Sequence, residues 1–220
     1  TYTIKAVYKG NNNYTEAGSR EIAFDAAKQN QQDFSLDAIG AKTYGDAAIT
    51  LKTTGGSGSG AVRYESSDED VIRIEDGRAV IAGAGTATIT AIKEGDDNYN
   101  EASAGRNVTV AKKALTVRAD SKTVVRGNPM PAFTYRTDGL VNGDTFTTAP
   151  SIKAGVQNTD TLGKYDILIN GGTLRNSESY HITYVNGTLK IVECFYTVTV
   201  TDGTGGGEYA EGDTVTVTAN

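Results

Sequence analysis

VIRIEDGRAVIAGAGTATITAI, residues 71–92, decides how this chain folds. Its first half is two short alternating runs about Asp76-Gly77. That dipeptide suits a type I′ hairpin turn, in which both central residues take φ > 0. Gly83 and Gly85 then let the chain bend before a strand whose Ala87, Ile89 and Ala91 share one face. Side chains that small let a second sheet approach closely. Outward from this stretch, AITLKT (48–53), AVRYESS (61–67) and NVTVA (107–111) also alternate, while GGSGSG (55–60) reads as a flexible loop. Turn signals recur about every ten residues, as in β-sandwiches.

The same unit contains a phrase that the chain also speaks near its start. YKGNNNYTEA (8–17) returns as KEGDDNYNEA (93–102). Thr3-Ile4, Ala6, Gly10, Asn13-Tyr14 and Glu16-Ala17 match Thr88-Ile89, Ala91, Gly95, Asn98-Tyr99 and Glu101-Ala102; after a one-residue slip, Ile22 and Phe24 match Val108 and Val110. Self-similarity at a fixed period marks modular arrays, and this period is near the size of an immunoglobulin-like sandwich. Residues 1–28 are therefore expected to be the C-terminal part of a preceding repeat, and 29–113 a whole module.

A second module is expected over 114–193. Pro129 and Pro131 argue for a strand edge or bulge there. YDILINGGTL (165–174) alternates into a Gly-Gly turn, and YHITYVNGTLKIVE (180–193) reads as a hairpin about Asn186-Gly187. Residues 194–220 read as the start of a further β-repeat: a strand, a Gly-rich turn and a second strand, DTVTVTAN. The fold class expected is all-β, tandem Ig-like β-sandwich modules with partial modules at both ends.

Composition agrees. Apolar residues are 38 %, with no Trp and 5 Phe against 12 Tyr, which suits several thin units better than one large core. The net charge of −6 and the lack of a long Lys/Arg cluster disfavour nucleic acid and anionic membranes as partners. A lone Cys194 allows no internal disulfide. No apolar run reaches the roughly 20 residues of a membrane span.

VRYESSDEDVIRIEDGRAVIAGAGTATITAI resembles the bacterial Ig-like domains of group 2, through Ser66, Ser67, Asp68, Val71, Gly77, Gly83, Gly85, Thr86, Ala87 and Ile89. KTYGD (42–46) and GDDNYNEA (95–102) extend the likeness. The second module is similar to the mostly-β, glycine-rich MBG repeats through Leu140-Val141-Asn142-Gly143-Asp144 and through Tyr184, Asn186, Gly187, Thr188 and Leu189. It departs where that family has Tyr-Gly-Asp, reading Val125-Arg126-Gly127-Asn128. YTVTV and YAEGDTVTVTAN resemble the start of an internalin-type B repeat. These resemblances imply a large exported protein of host-associated bacteria, whose tandem β-modules hold a tip away from the cell wall. They bring no catalytic residues with them.

Candidate chemistry is sparse. His181 and Cys194 would need hydrogen-bond reach and an oxyanion-binding element to form a nucleophilic pair. Two acidic knots offer oxygens for calcium: Asp68, Glu69, Asp70, Glu75 and Asp76 in one, Glu94, Asp96, Asp97 and Asn98 in the other, with Asp68, Asp70, Asp96 and Asp97 the candidate ligands. The first copy of the second knot reads KGNNN, without a carboxylate, so turn-shaping by Asn and Asp is the expected shared role. A Lys–Asn crosslink would need both residues buried beside an acid. The tyrosines could stack on sugars, but Tyr14 and Tyr99 occupy equivalent repeat positions, which favours packing at module corners. Asn13, Asn107 and Asn186 stand in glycosylation sequons.

The function expected is a non-catalytic stalk or adhesin segment of a bacterial cell-surface protein, extracellular, monomeric and without a cofactor. It would space or display a binding tip, with a host protein or glycan as ligand. The second reading is a glycan- or host-protein-binding β-module. The third is an accessory region of a secreted carbohydrate-active enzyme.

Overall fold

The computed structural model describes residues 2–24 and 26–220. Their regular structure is β throughout, apart from one 3-10 turn at Ser177–Ser179. They form two compact units. The first gathers the described residues up to 41 with 47–82 and 86–109; the second gathers 42–46, 83–85 and 110–220.

In the first unit, β1 (Tyr2–Ile4), β2 (Val7–Tyr8), β3 (Ala17–Gly18) and β4 (Ile22–Phe24) fold back antiparallel, β1 with β4 and β2 with β3. Next along the chain come β5 (Ser35–Leu36), β6 (Lys42–Thr43), which belongs to the second unit, β7 (Ile49–Thr50), β8 (Thr53–Thr54), β9 (Val62–Ser66), β10 (Ile72–Glu75), β11 (Arg78–Ile81), β12 (Gly85–Lys93) and β13 (Ala102–Ala111). β11 lies between β10 and β7 in one sheet, and β12 between β9 and β13 in another. Leu36, Ile72, Ala79, Ala87, Ile89 and Ala91 are buried in this unit's core. The β10–β11 hairpin closes as its sequence requires, with Glu75 opposite Arg78 and with Asp76 and Gly77 at φ 49° and 71°.

The second unit takes up β6, which pairs in parallel with the end of β13 through Lys42–Val110 and Thr43–Ala111. Its main strands are β14 (Lys113–Ala119), β15 (Lys122–Val125), β16 (Tyr135–Asp138), β17 (Phe146–Thr148), β18 (Ser151–Ala154), β19 (Gly163–Asn170), β20 (Thr173–Leu174), β21 (Tyr180–Val185) and β22 (Gly187–Val192). β14 is flanked by β16 and β21; a second sheet runs β15-β22-β19-β18, and β17 pairs with β20. β19 lies against β14 and β21 across the two sheets. Between them sit Leu115 and Val117 from one side and Ile167, Ile169, Leu189 and Ile191 from the other. Alternate positions along each strand are buried, as a strand with one wet face demands. The chain ends in β23 (Phe195–Val198), β24 (Gly203–Thr204), β25 (Gly207–Ala210) and β26 (Thr218–Ala219), paired β23 with β25 and β24 with β26.

Four local expectations are corrected. YHITYVNGTLKIVE is not a hairpin: β21 pairs with β14 and β22 with β15 and β19, so the chain crosses between sheets at Asn186-Gly187. Neither residue has positive φ. Instead the Asn186 Oδ1 accepts from the Ile169 N–H at 3.2 Å, and Gly187 is buried where the Ala119 carbonyl passes. AITLKT is two strands, β7 and β8, because β7 joins β11 while β8 joins β5. GGSGSG is a tied loop: Ser57 N and Gly58 N donate to Gln31 Oε1, Ser59 to Asp96, and Lys93 Nζ to the Gly60 carbonyl. In DTVTVTAN only Thr218–Ala219 is strand, and the partner of β23 is β25, inside the Gly-rich stretch. Pro129 and Pro131 lie in the irregular segment between β15 and β16.

The crossing gives a test. A Cβ at Gly187 would stand 2.9 Å from the Ala119 oxygen and 3.0 Å from the Asp120 oxygen. Gly187→Ala is expected to cost about 1–3 kcal/mol in urea unfolding, through lost space rather than backbone strain.

Candidate functional site

The repeated acidic phrase is a turn in both copies. Asn11 N donates to the Tyr14 carbonyl at 2.9 Å, and Asp96 N to the Tyr99 carbonyl at 3.0 Å. Asn11 Oδ1 accepts from Asn13 N at 3.0 Å, and Asp96 Oδ1 from Asn98 N at 2.9 Å. A carboxamide and a carboxylate thus do the same local work, bonding the backbone two residues on. A Cβ at Gly10 or at Gly95 would stand 2.8 Å from the tyrosine carbonyl of its own turn, so both copies need glycine there.

The carboxylate adds a second task. Asp96 Oδ2 takes the Ser59 N–H at 2.6 Å and the Ser59 hydroxyl at 3.0 Å. The Ser59 N–H, then that of Asn98, pull the Asp96 carboxyl from 3.8 down to about 2. The other three calcium candidates do not join it. Asp70 N bonds Asp68 Oδ1 in a local turn, Asp97 is exposed, and no three His, Cys, Asp or Glu side chains among the described residues are grouped to hold a metal.

A buried polar centre was not singled out as a site in the sequence. Asp144 is 5 % exposed. Its Oδ2 accepts from Tyr44 at 2.9 Å and from Tyr180 at 2.8 Å, and its Oδ1 from Asn176 Nδ2 at 3.0 Å. The two rings meet edge to face at 5.4 Å. Asp144 is placed by a tight turn in which Asn142 and Gly143 have φ 55° and 72° and Asp144 N donates to the Val141 carbonyl. The I′-type Asn-Gly pair of this module is therefore 142–143, not 186–187. Burial, with Asp144 beside it, pushes the Tyr180 phenol up to about 12. Every donor in the cluster has its acceptor, which is what a buried carboxylate needs to persist. The sequence signal was VNGD itself, whose Asp follows a two-residue turn and so points back over the strand ends.

The remaining candidates are scattered. His181 is exposed on β21, opposite Ala114. Cys194 follows β22 and is half-buried; its thiol holds the Tyr196 phenol above its ordinary range. The buried polar side chains among the described residues are Asp144, Thr159 and Ser179, so the buried lysine of a Lys–Asn crosslink is not among them. Tyr99 is half-buried, but Tyr14 is 69 % exposed, which corrects the expectation that both pack at a corner. Asn13, Asn107 and Asn186 are exposed. A groove of about 580 Å³ runs beside the edge strand β18, floored by Met130, Phe133, Ile152 and Leu168.

Tyr44-Gly45-Asp46 and Arg126-Gly127-Asn128 occupy equivalent turns. Tyr44 N donates to the Ala111 carbonyl and Arg126 N to the Val192 carbonyl, both at 2.9 Å; Asp46 N and Asn128 N each close the turn on the carbonyl three residues back. Where Tyr44 reaches Asp144, Arg126 instead pairs with Glu193 at 2.8 Å. Against known families, residues 115–190 match the MBG domain (YGX type). No curated protein matches the chain.

Two outcomes test these sites. Asp144→Ala takes an acceptor from two phenols and an amide and is expected to cost about 1–3 kcal/mol in urea unfolding for each donor left unpaired, with Asp144→Asn milder because it keeps an acceptor. The Asp96 carboxyl is depressed in the folded state, so its contribution is full above pH 3.8 and is lost as pH falls through about 2. Amide exchange at Ser59 and Asn98 should accelerate over that window beyond the intrinsic trend, and Asp96→Ala should abolish the step.

Proposed function

We propose that this chain is a non-catalytic segment of the repeat-built stalk of a bacterial cell-surface protein, outside the cell, where it spaces or displays a binding tip. The observation that carries this reading is the direction of the two opening strands relative to the two closing strands. β14 runs parallel to β21 over six residue pairs, from Lys113–Tyr180 to Arg118–Val185. β15 runs parallel to β22 over four. β6 and the end of β13 repeat the arrangement with two pairs. When a chain is pulled from both ends, parallel first and last strands slide along each other, and all their hydrogen bonds are loaded together. Antiparallel ends would peel apart one bond at a time. A module built to transmit tension uses the first geometry. The match of residues 115–190 to the MBG domain (YGX type) and the internal repeat support the same reading.

The groove beside β18 favours a second reading, a binding module for an extended peptide of a host protein. Ile152, Leu168, Met130 and Phe133 offer an apolar floor next to a strand edge, the setting for β-strand addition.

Single-molecule pulling separates these. Stretched from its ends, the 114–193 module is expected to resist to a force several times that needed when handles at Thr123 and Lys190, paired across β15 and β22, pull the two strands apart. On release its residues should span up to about 280 Å, near 3.5 Å for each, so the gain in length is that span less the folded distance between its ends. Equal forces in the two directions would sink the stalk reading.

A further inference from the structure

Residues 2–24 and 87–110 share a sequence and a turn but not a covering. Ile89, Ile92 and Val108 are 0, 8 and 2 % exposed, whereas their counterparts Ile4, Val7 and Ile22 are 61, 51 and 66 % exposed. Tyr14 is 69 % exposed where Tyr99 is half-buried. Isolated apolar residues at a surface are ordinary, but a row that is buried in one copy and bare in the other is not. The second copy also shows what the covering is. β9 pairs along β12 from Ile89–Ser66 to Lys93–Val62, and Leu36, Ile72, Ala79 and Ile81 complete the core. All of that comes from residues 29–85. Among the described residues, β1–β4 and β2–β3 are two-stranded, with no counterpart of β9 beside them.

We propose that the exposed face of residues 2–24 is a docking surface for a second front half of this module, a polypeptide of the kind found at residues 29–85. The incoming segment adds a β9-like strand along β1 and β2 and lays its apolar sheet over Ile4, Val7 and Ile22. Charge agrees with this occupant. Residues 29–85 carry nine Asp and Glu against five Lys and Arg, and residues 2–24 carry two against three. In the second copy Glu65 stands opposite Thr90; the first copy has Lys5 at that position, so an arriving glutamate meets a cation across the strand pair. The register is set by the repeat as well, since Thr1 corresponds to Thr86 and Gly85 would precede it. The proposal rests on the tandem-repeat reading, but not on its mechanical part.

The test is the full chain carrying an extra copy of residues 29–85 directly before Thr1, compared with the chain as it stands. Amides of residues 2–24 should exchange about a hundredfold more slowly, or better, in the extended chain, approaching the protection of 87–110 in the same molecule. Ile22→Asp should abolish that gain while leaving 87–110 protected; Ile22 is exposed in the parent, so the parent variant should fold unchanged. Exchange of 2–24 that the extension does not slow would overturn the proposal. So would protection that appears in the unextended chain with rising concentration, accompanied by a dimer in sedimentation, because a second copy would then be the occupant. Either result leaves the pulling experiment on residues 114–193 standing.

Discussion

A sandwich whose chain comes in at one end and leaves at the other has opening and closing strands that run the same way, and here they are also paired. That constraint organises the second unit. β14 and β21 satisfy it in one sheet, β15 and β22 in the other. Both pairs can exist only if the chain changes sheets twice, once between β14 and β15 and once between β21 and β22. The second crossing falls at Asn186-Gly187, where a glycine is needed because the Ala119 and Asp120 carbonyls pass within 3.0 Å of where its Cβ would be. An Asn-Gly pair can thus serve two unrelated ends: it can turn a strand back on its neighbour, or it can let two backbones meet.

Local polar chemistry holds the corners of this frame. The Asn11 and Asp96 turns are the same object built with different side chains, and the carboxylate version also reaches across to Ser59. That contact converts a Gly- and Ser-rich stretch into a fixed loop. Asp144 does for the second unit what Asp96 does for the first, but in the dark. Its two phenols and one amide replace the water it has lost, and the Tyr180 phenol becomes correspondingly hard to ionise. Asp96 reads from sequence as a candidate metal ligand and Asp144 as part of a family phrase, and both are spent on backbone or side-chain donors.

The two copies of the repeated phrase separate local from tertiary causes. Their turns are alike to about a tenth of an ångström in the hydrogen bonds that close them. Their apolar residues differ from bare to buried. Turn geometry is carried by ten residues and needs no help; burial is carried by whatever lies on the other side of the sheet.

By itself, then, the sequence determined the period-2 strands, the all-β class, the Asp76-Gly77 hairpin and the Asx character of the repeated turn, because each of these depends on side chains a few residues apart. Tertiary structure alone decided which strands are neighbours. AITLKT alternates without a break, yet β7 and β8 belong to different sheets, and VNGT has the composition of a hairpin yet joins two layers. It also decided that Asp144 is buried, since its three partners come from Tyr44, Asn176 and Tyr180, up to 100 residues away in the chain. Alternation says which face of a strand is dry; it carries no information on which other strand keeps it so, because hydrogen bonds of the backbone are the same for every partner.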